Sequence, residues 1–336
     1  MLVLKLLFWL SLGALLWTHL LYPLGAAALA RVRTRPVRKA AIEPAVTVIV
    51  AAYNEEPVIE RRLENLLALD YPPDRLEVVV TSDASTDRTH ELVERFGDRV
   101  CLIVNPRGGK VAAQDRAVRE TEGEIVAFSD ANATWAPDAL RQLVANFADP
   151  DVAYVCGRLV LEAADGSIYA VRRSDYVEVD PKWGHDLSFP YRMVQAGRRA
   201  VYEPAARAFE KPTPSNETEY RRKVRMFEHC WEITLRGSML KRLPFGYLVE
   251  VVSHRLLRYG SGVLHLVLLA TSLALVREGL GYQAVLAGQA LLLAAAATGV
   301  GIARYYVLVT WATVVSLWNY LRRGVPAAWE PARDAS

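Results

Sequence analysis

The sequence is poor in cysteine. Its three thiols, Cys101, Cys156 and Cys230, are far apart and form no Cys-x-x-Cys pair. That excludes a disulfide scaffold and a zinc ribbon, and it suits a reducing compartment. Charge imbalance is also slight. A net charge of +3 over 336 residues gives no footprint for nucleic acid, so none is expected as a partner. The phosphate-binding signatures are missing. Gly108-Gly109-Lys110 has no earlier glycine at Walker A spacing and runs into Val111 where Ser or Thr is required. No Gly-x-Gly-x-x-Gly follows the first strand-like run, which argues against a dinucleotide site. Mean hydropathy is nonetheless above zero, and the apolar residues crowd at the two ends. That distribution excludes a simple soluble enzyme, a disordered chain and a fibrous repeat.

Charge is nearly absent from those ends. Residues 1–30 carry only Lys5, and the run from Leu6 to Ala30 exceeds the ~20 apolar residues needed to cross a bilayer. Five cations follow in nine residues: Arg31, Arg33, Arg35, Arg38 and Lys39. By the positive-inside tendency they place the next domain on the cytoplasmic side. Ala28-Leu-Ala30 also resembles a signal-peptide cleavage site, but signal peptides have a basic start and an apolar core of about 7–15 residues. Near the C-terminus, residues 259–276, 279–303 and 305–321 contain no Lys, Arg, Asp or Glu. Each approaches the length of a spanning helix. Three C-terminal spans would put Arg322 and Arg323 outside, whereas a third segment lying in the interface would not; both readings stay open.

Residues 46–160 alternate between strand and helix patterns. Strands are expected at Val46–Ala51, Leu76–Thr81, Val100–Val104 and Glu124–Phe128. The first is followed by a helix capped by Asn54, with Pro57 in its first turn and Ile59, Leu63, Leu66 and Leu67 on one face. A later helix, from about Lys110 to Thr121, is expected to stop at Gly123. Such alternation implies right-handed crossovers and a parallel sheet covered on both faces, with ligands outside the carboxyl ends of the strands. The polar clusters fall at those ends. They are Tyr53-Asn54-Glu55-Glu56, Ser82-Asp83 through Asp87, Arg107 through Lys110, and Ser129-Asp130-Ala-Asn132. One such loop would be ordinary capping, and Asp87 reads as a cap. Four on one edge make a site.

Ala51-Ala-Tyr-Asn-Glu-Glu56, Ser82-Asp-Ala-Ser-Thr-Asp87, Gly109-Lys110 and Ser129-Asp-Ala-Asn132 together resemble the signature series of family-2 glycosyltransferases with the GT-A fold. The resemblance covers roughly residues 45–260. With the flanking apolar segments it is similar to the membrane-embedded branch that includes the cellulose, chitin and hyaluronan synthases. It implies an α/β fold: a Rossmann-like parallel or mixed sheet with helices on both faces, plus N- and C-terminal transmembrane helices. It also implies a nucleotide-sugar donor, usually a UDP-sugar. Tyr53 and Glu55 would line the base and ribose pocket, Asp83 would hold the uridine, and Lys110 would lie near the phosphates. Asp130 and Asn132 occupy the Asp-x-Asp position that sets Mg²⁺ or Mn²⁺ against the diphosphate. Oxygen ligands suit both ions, and the neutral Asn132 implies a weaker site than two carboxylates would give.

Inverting transfer needs a carboxylate to take the acceptor proton. By resemblance that residue is Asp186, in Trp183-Gly-His-Asp186-Leu-Ser-Phe. Asp175 and Asp180 compete, although Pro181 makes Asp180 read as a turn; His185, in place of the usual acidic neighbour, reads as a polar rim residue, with tuning of Asp186 or a phosphate contact as alternatives. Gly197 through Pro204 resembles the family strand after the base-bearing helix. Arg222 and Arg225 fit the first and fourth positions of the family's Gln-x-x-Arg-Trp, with Met226 in place of the tryptophan. They read equally as a clamp on the donor diphosphate or as a basic helix facing lipid headgroups. Between Leu161 and Val171 the chain lacks the acceptor loop and amphipathic helix usual in relatives.

The expected organisation is a transmembrane helix at 1–30, a basic linker at 31–44 and a GT-A domain at 45–215. Amphipathic interface helices at 216–258, a C-terminal transmembrane region of two or three spans at 259–322 and a tail at 323–336 complete it. The expected function is that of a multi-pass inner or plasma membrane protein with a cytoplasmic, metal-dependent, inverting glycosyltransferase domain. It would serve a lipid-linked or glycan acceptor among membrane lipids. A catalytically weak relative with a shortened acceptor site, or a nucleotidyltransferase, are the alternatives.

Overall fold

Strands form where β-branched residues alternate between two faces. Val46, Val48 and Val50 join one buried layer while Ile49 joins the other. The structure is a computed structural model and describes residues 1–32, 34–161, 168–210 and 215–325. The chain divides into two units. One is helical and comprises Met1–Arg35, Ser215–Arg236 and Leu243–Val325; the other is α/β and holds Pro36–Pro214 with Gly237–Arg242. The first helix, α1, spans Leu2–Val32 and includes one π-helical turn at Trp17–Leu21.

In the α/β unit the elements run β1 (Val46–Ala52), α2 (Ile59–Leu67), β2 (Leu76–Asp83), α3 (Thr89–Glu94), β3 (Cys101–Asn105), α4 (Lys110–Arg119) and β4 (Ile125–Asp130). They continue through β5 (Thr134–Trp135), α5 (Ala139–Val144), β6 (Val152–Leu161), β7 (Ile168–Arg172), α6 (His185–Gln195) and β8 (Arg199–Glu210). The sheet order is β3-β2-β1-β4-β7-β6-β8-β5. The first four strands are parallel, as the alternation implied. Beyond β4 the sheet turns mixed: β7 runs antiparallel to β4 and to β6, and β8 runs parallel to β6. Helices α2 and α5 bury Ile59, Leu63, Leu66, Leu140 and Leu143 against one face. On the other face α4 and α6 bury Val111, Val118, Phe189 and Met193 against Ile49, Val79 and Phe128.

Several local expectations are corrected. Helix α2 begins at Ile59, not at Asn54, because Asn54 adopts a left-handed φ of 56° and spends its side chain on the neighbouring loop. Helix α4 ends at Arg119, and Gly123 does not terminate it. Gly123 is needed at the entry to β4, where its amide donates to Thr47 Oγ1 at 3.2 Å. Part of the basic linker faces protein. The Arg38 amide and guanidinium donate to Asp149, Arg199 joins the same carboxylate at 2.9 Å, and Lys39 pairs with Glu203. Both acidic residues are buried, so these cations are committed within the α/β unit. The shortened acceptor segment falls on residues 162–167, outside the described residues.

The helical unit continues with α7 (Asn216–Leu235), α8 (Phe245–Tyr259), α9 (Ser261–Ala274), α10 (Leu280–Ala297) and α11 (Gly301–Arg323). Ser215 caps α7 by accepting from the Thr218 amide at 3.1 Å. Among the described residues α1 and α10 are long and apolar enough to cross a membrane. The pair α8 and α9, bent by 64°, makes a third if it counts as one span. The apolar run 305–321 lies within α11, whose Asn319 donates to Glu228 of α7 at 2.7 Å. Phe8 and Leu15 of α1 pack with Leu268 of α9 and with Leu275.

A Cβ at Gly123 would lie 2.6 Å from both the amide nitrogen and Oγ1 of Thr47. Because the near atoms include fixed backbone, Gly123→Ala should destabilise the α/β unit by about 1–3 kcal/mol. Chemical denaturation checks this, with Gly97→Ala, which meets nothing within 4 Å, as a comparison for backbone strain alone.

Candidate functional site

The parallel register puts four strand ends level. Ala51 of β1 pairs with Thr81 and with Asp130, and Asp83 of β2 pairs with Asn105 of β3. All four polar clusters therefore open on one edge. The two loops nearest the centre are laced together. Asn54 Oδ1 accepts from the Thr86 amide at 2.8 Å, and the Asn54 amide donates to Ser85 Oγ at 3.0 Å. The Glu55 amide donates to Thr89 Oγ1 at 2.9 Å, and the Glu56 amide to Asp87 at 3.1 Å. Asp87 also accepts from the Thr89 amide at 3.0 Å, so it bridges two loops besides capping its own.

Asp83 is almost wholly buried, and it organises the third loop. One carboxylate oxygen accepts from the Gly108 and Gly109 amides at 2.7 and 3.0 Å, and the other pairs with Arg107. The Arg107 guanidinium in turn lies 3.5 Å from the centroid of the Tyr53 ring. Asp83 thus acts on the edge through a stacked Tyr53–Arg107 platform, a cation–π surface of the kind that suits a nucleobase. Gly109 holds φ +92° at the start of α4, a region that favours glycine. That turn delivers Lys110, whose ammonium pairs with Asp130 Oδ1.

Asp130 and Asn132 stand two residues apart on the loop after β4, with Asp130 partly exposed and Asn132 exposed. A carboxylate and an amide oxygen at the sheet edge are hard donors of the type Mg²⁺ or Mn²⁺ takes. No group of three His, Cys, Asp or Glu occurs among the described residues. Two such donors would fit Mg²⁺ or Mn²⁺ only as a partial set, leaving the rest of the shell to other ligands. Glu55 is beside them. Burial, with Asp130 and Asp87 adding repulsion and Lys110 opposing it, pushes its carboxyl up to about 7.

The α2 helix contributes a residue that sequence reasoning missed. Arg62 is 1% exposed, yet it donates to Ser129 Oγ at 2.6 Å and to Asn65, and it lies 5.0 Å from the Trp135 ring. Burial pulls it down to about 9, with Asp130 acting in the opposite sense, so it is charged at neutral pH. Its signal was readable: a lone cation at i+3 of the apolar set Ile59, Leu63, Leu66.

On the far side of β4, Asp186 is exposed in the first turn of α6, where a helix N-terminus favours a carboxylate. His185 is not a rim residue. It is buried, with Nε2 3.0 Å from Asp115 and Nδ1 3.1 Å from Gln114 on α4, and its ring stacks on Phe189. Tyr176 donates to the same Asp115. Burial drives the Tyr169 hydroxyl well above its ordinary range, and Asp186 and Asp130 both push the same way. Both carboxylates therefore lie within electrostatic reach of one buried hydroxyl. Asp175 is occupied by Arg198 at 2.7 Å, and Asp180 caps the turn at Lys182, accepting at 2.9 Å. Arg222 and Arg225 lie on α7 of the helical unit, where Arg222 pairs with Glu219 at 2.8 Å.

The sequence profile of glycosyl transferase family 2 matches residues 47–205. A β-monoglucosyldiacylglycerol synthase of Synechocystis sp. is 39% identical over 113 residues, covering 32% of this chain and 24% of that protein. TarS of Staphylococcus aureus, a poly(ribitol-phosphate) β-N-acetylglucosaminyltransferase, is 37% identical over 90 residues, 26% of this chain and 16% of that protein. The chain thus spans a quarter or less of these curated relatives. Among solved structures, mannosyltransferase PcManGT from Pyrobaculum calidifontis, in complex with GDP-Man and Mn²⁺, superposes with a TM-score of 0.77 at 25% identity. That match covers 95% of this chain and 98% of that one.

Glu55 generates a prediction of its own. The folded chain keeps a proton at Glu55 up to about pH 7, whereas the unfolded chain releases it near 4.5. This group's contribution to stability is therefore present below 4.5 and lost as pH rises through 7. Denaturation midpoints between pH 4.5 and 7.5 should fall less steeply in Glu55→Gln than in the wild type. Parallel curves would remove the assignment.

Proposed function

This chain belongs to glycosyl transferase family 2 through residues 47–205, and from that premise we propose that it is a membrane-associated, metal-dependent, inverting transferase. It moves a sugar from a nucleoside diphosphate to a lipid-linked or glycan acceptor. The observation that carries the reading is the meeting of Tyr53–Arg107, Glu55, Lys110 and Asp130 on one edge of the parallel strands, with Asp186 exposed in the first turn of α6. The β-monoglucosyldiacylglycerol synthase and the poly(ribitol-phosphate) transferase among its relatives support the acceptor class. The two long apolar helices support a site at a membrane surface. The family resemblance favours a UDP-sugar, while PcManGT is bound to GDP-Man, so both donor classes belong in the assay.

Each residue has one task in this scheme. The Tyr53–Arg107 platform stacks the base. Lys110 exchanges part of its pairing with Asp130 for the donor phosphates. Asp130 and Asn132 would hold Mg²⁺ or Mn²⁺, which when bound would neutralise charge on the leaving diphosphate. Asp186 takes the proton from the acceptor hydroxyl as that oxygen attacks the anomeric carbon, so one C–O bond forms as the sugar–phosphate bond breaks. Arg222 and Arg225 serve the diphosphate or the lipid surface. Met226, in place of a sugar-stacking tryptophan, favours transfer of single sugars over polymer synthesis.

Asp186→Asn should leave nucleotide binding intact and slow transfer by about 10²–10⁴-fold, the usual contribution of a general base. Turnover of radiolabelled UDP- and GDP-sugars in detergent with lipid acceptors measures this, and equal rates would remove Asp186 from its role. Asp130→Ala should abolish the Mn²⁺ dependence of UDP or GDP binding. Nucleotide affinity that stays metal-dependent in Asp130→Ala would overturn the metal assignment.

A further inference from the structure

The loop that carries Asp130 and Asn132 is fastened at both ends by two side chains of α2. Before the loop, Ser129 Oγ accepts from the Arg62 guanidinium at 2.6 Å and donates to the Asp130 carbonyl at 3.0 Å. After it, Asn65 pairs with the Trp135 backbone as a strand would. Its Oδ1 accepts from the Trp135 amide at 2.8 Å, and its Nδ2 donates to the Trp135 carbonyl at 3.0 Å. Arg62 also donates to Asn65 Oδ1 and lies over the Trp135 ring, so the two fasteners are themselves joined. Their spacing of three residues puts them on one helix face. Between the fasteners the Ala133 amide donates to the Asp130 carbonyl at 3.3 Å. We propose that Arg62 and Asn65 are positioning residues for the metal-binding loop, holding Asp130 and Asn132 at the spacing the cation requires.

The charge of Arg62 sharpens the case. A buried cation near a metal site opposes a divalent ion by simple Coulomb repulsion. Arg62 brings a guanidinium close enough to Asp130 to influence its field. A residue chosen for its electrostatics there would be neutral or acidic. What arginine adds is reach and geometry: a planar fork that bonds Ser129 and Asn65 at once while its face covers Trp135. Side chains that orient metal ligands without touching the metal are worth about 10–100-fold in metal affinity.

This inference rests on the metal-dependent reading given above. The test uses the full chain in detergent. Free Mn²⁺ is titrated by electron paramagnetic resonance with UDP and with GDP present, and nucleotide affinity is measured separately in EDTA. Asn65→Leu and Arg62→Met should each weaken Mn²⁺ binding by about tenfold or more, with nucleotide affinity in EDTA unchanged. Arg62→Lys, which keeps the charge and one donor, should fall between them and the wild type, and it covers the case in which a harsher variant fails to fold. Loss of charge alone would make Arg62→Met bind Mn²⁺ more tightly. Unchanged or tighter Mn²⁺ binding in either variant overturns the bracing role, as does an equal loss of nucleotide affinity in EDTA. No Mn²⁺ binding by the wild type would overturn the metal-dependent reading, and this inference with it.

Discussion

The register of β1 is the constraint from which the site follows. Because β1 pairs in parallel with β2 on one side and β4 on the other, Ala51 is level with both Thr81 and Asp130. A slip of one residue would invert which side chains face each layer, moving Ile49 into the layer of Val48 and Val50. The buried valines therefore fix the height of Asp130 relative to Glu55. Neither acidic residue contributes to that choice; the apolar faces on either side decide it.

The resulting edge is close to electrically balanced. Asp83, Asp87 and Asp130 stand against Arg62, Arg107 and Lys110, and Glu55 holds its proton up to about pH 7. A balanced edge has little pull of its own on a diphosphate, which gives a divalent cation a clear electrostatic task. Most of these charges are also held by fixed partners. Asp83 takes three donors from a single loop, and the Arg107 that closes it lies flat on Tyr53. Such prearrangement lowers the reorganisation needed when a ligand arrives.

Much of this was legible in the sequence, and the gaps have physical causes. Strand runs such as Val46–Ala52 declare themselves because both faces are buried, and the acidic clusters declare themselves by recurring after each run. What a single pattern cannot show is a partner far along the chain. Asn54 looks like a helix cap until Thr86 is found across the gap. His185 looks like a rim residue because nothing in its own segment announces Asp115, 70 residues earlier. Arg38 and Lys39 match a membrane-side charge rule equally well whether they meet lipid or meet Asp149 and Glu203. The mixed half of the sheet was legible only through the family resemblance, because β7 enters antiparallel beside β4 and antiparallel order leaves no signature in β7 itself.

The His185 contacts have a mechanical meaning for the working cycle. His185 opens α6, the helix that presents Asp186, and it is bonded to Gln114 and Asp115 in the middle of α4, the helix that presents Lys110. Tyr176 and Phe189 wrap the same imidazole. The two helix starts that carry Lys110 and Asp186, assigned in the proposed scheme to the leaving group and the incoming hydroxyl, are thereby joined. A tilt of α4 would pull on α6 through the same imidazole, so these contacts couple the position of one helix start to that of the other.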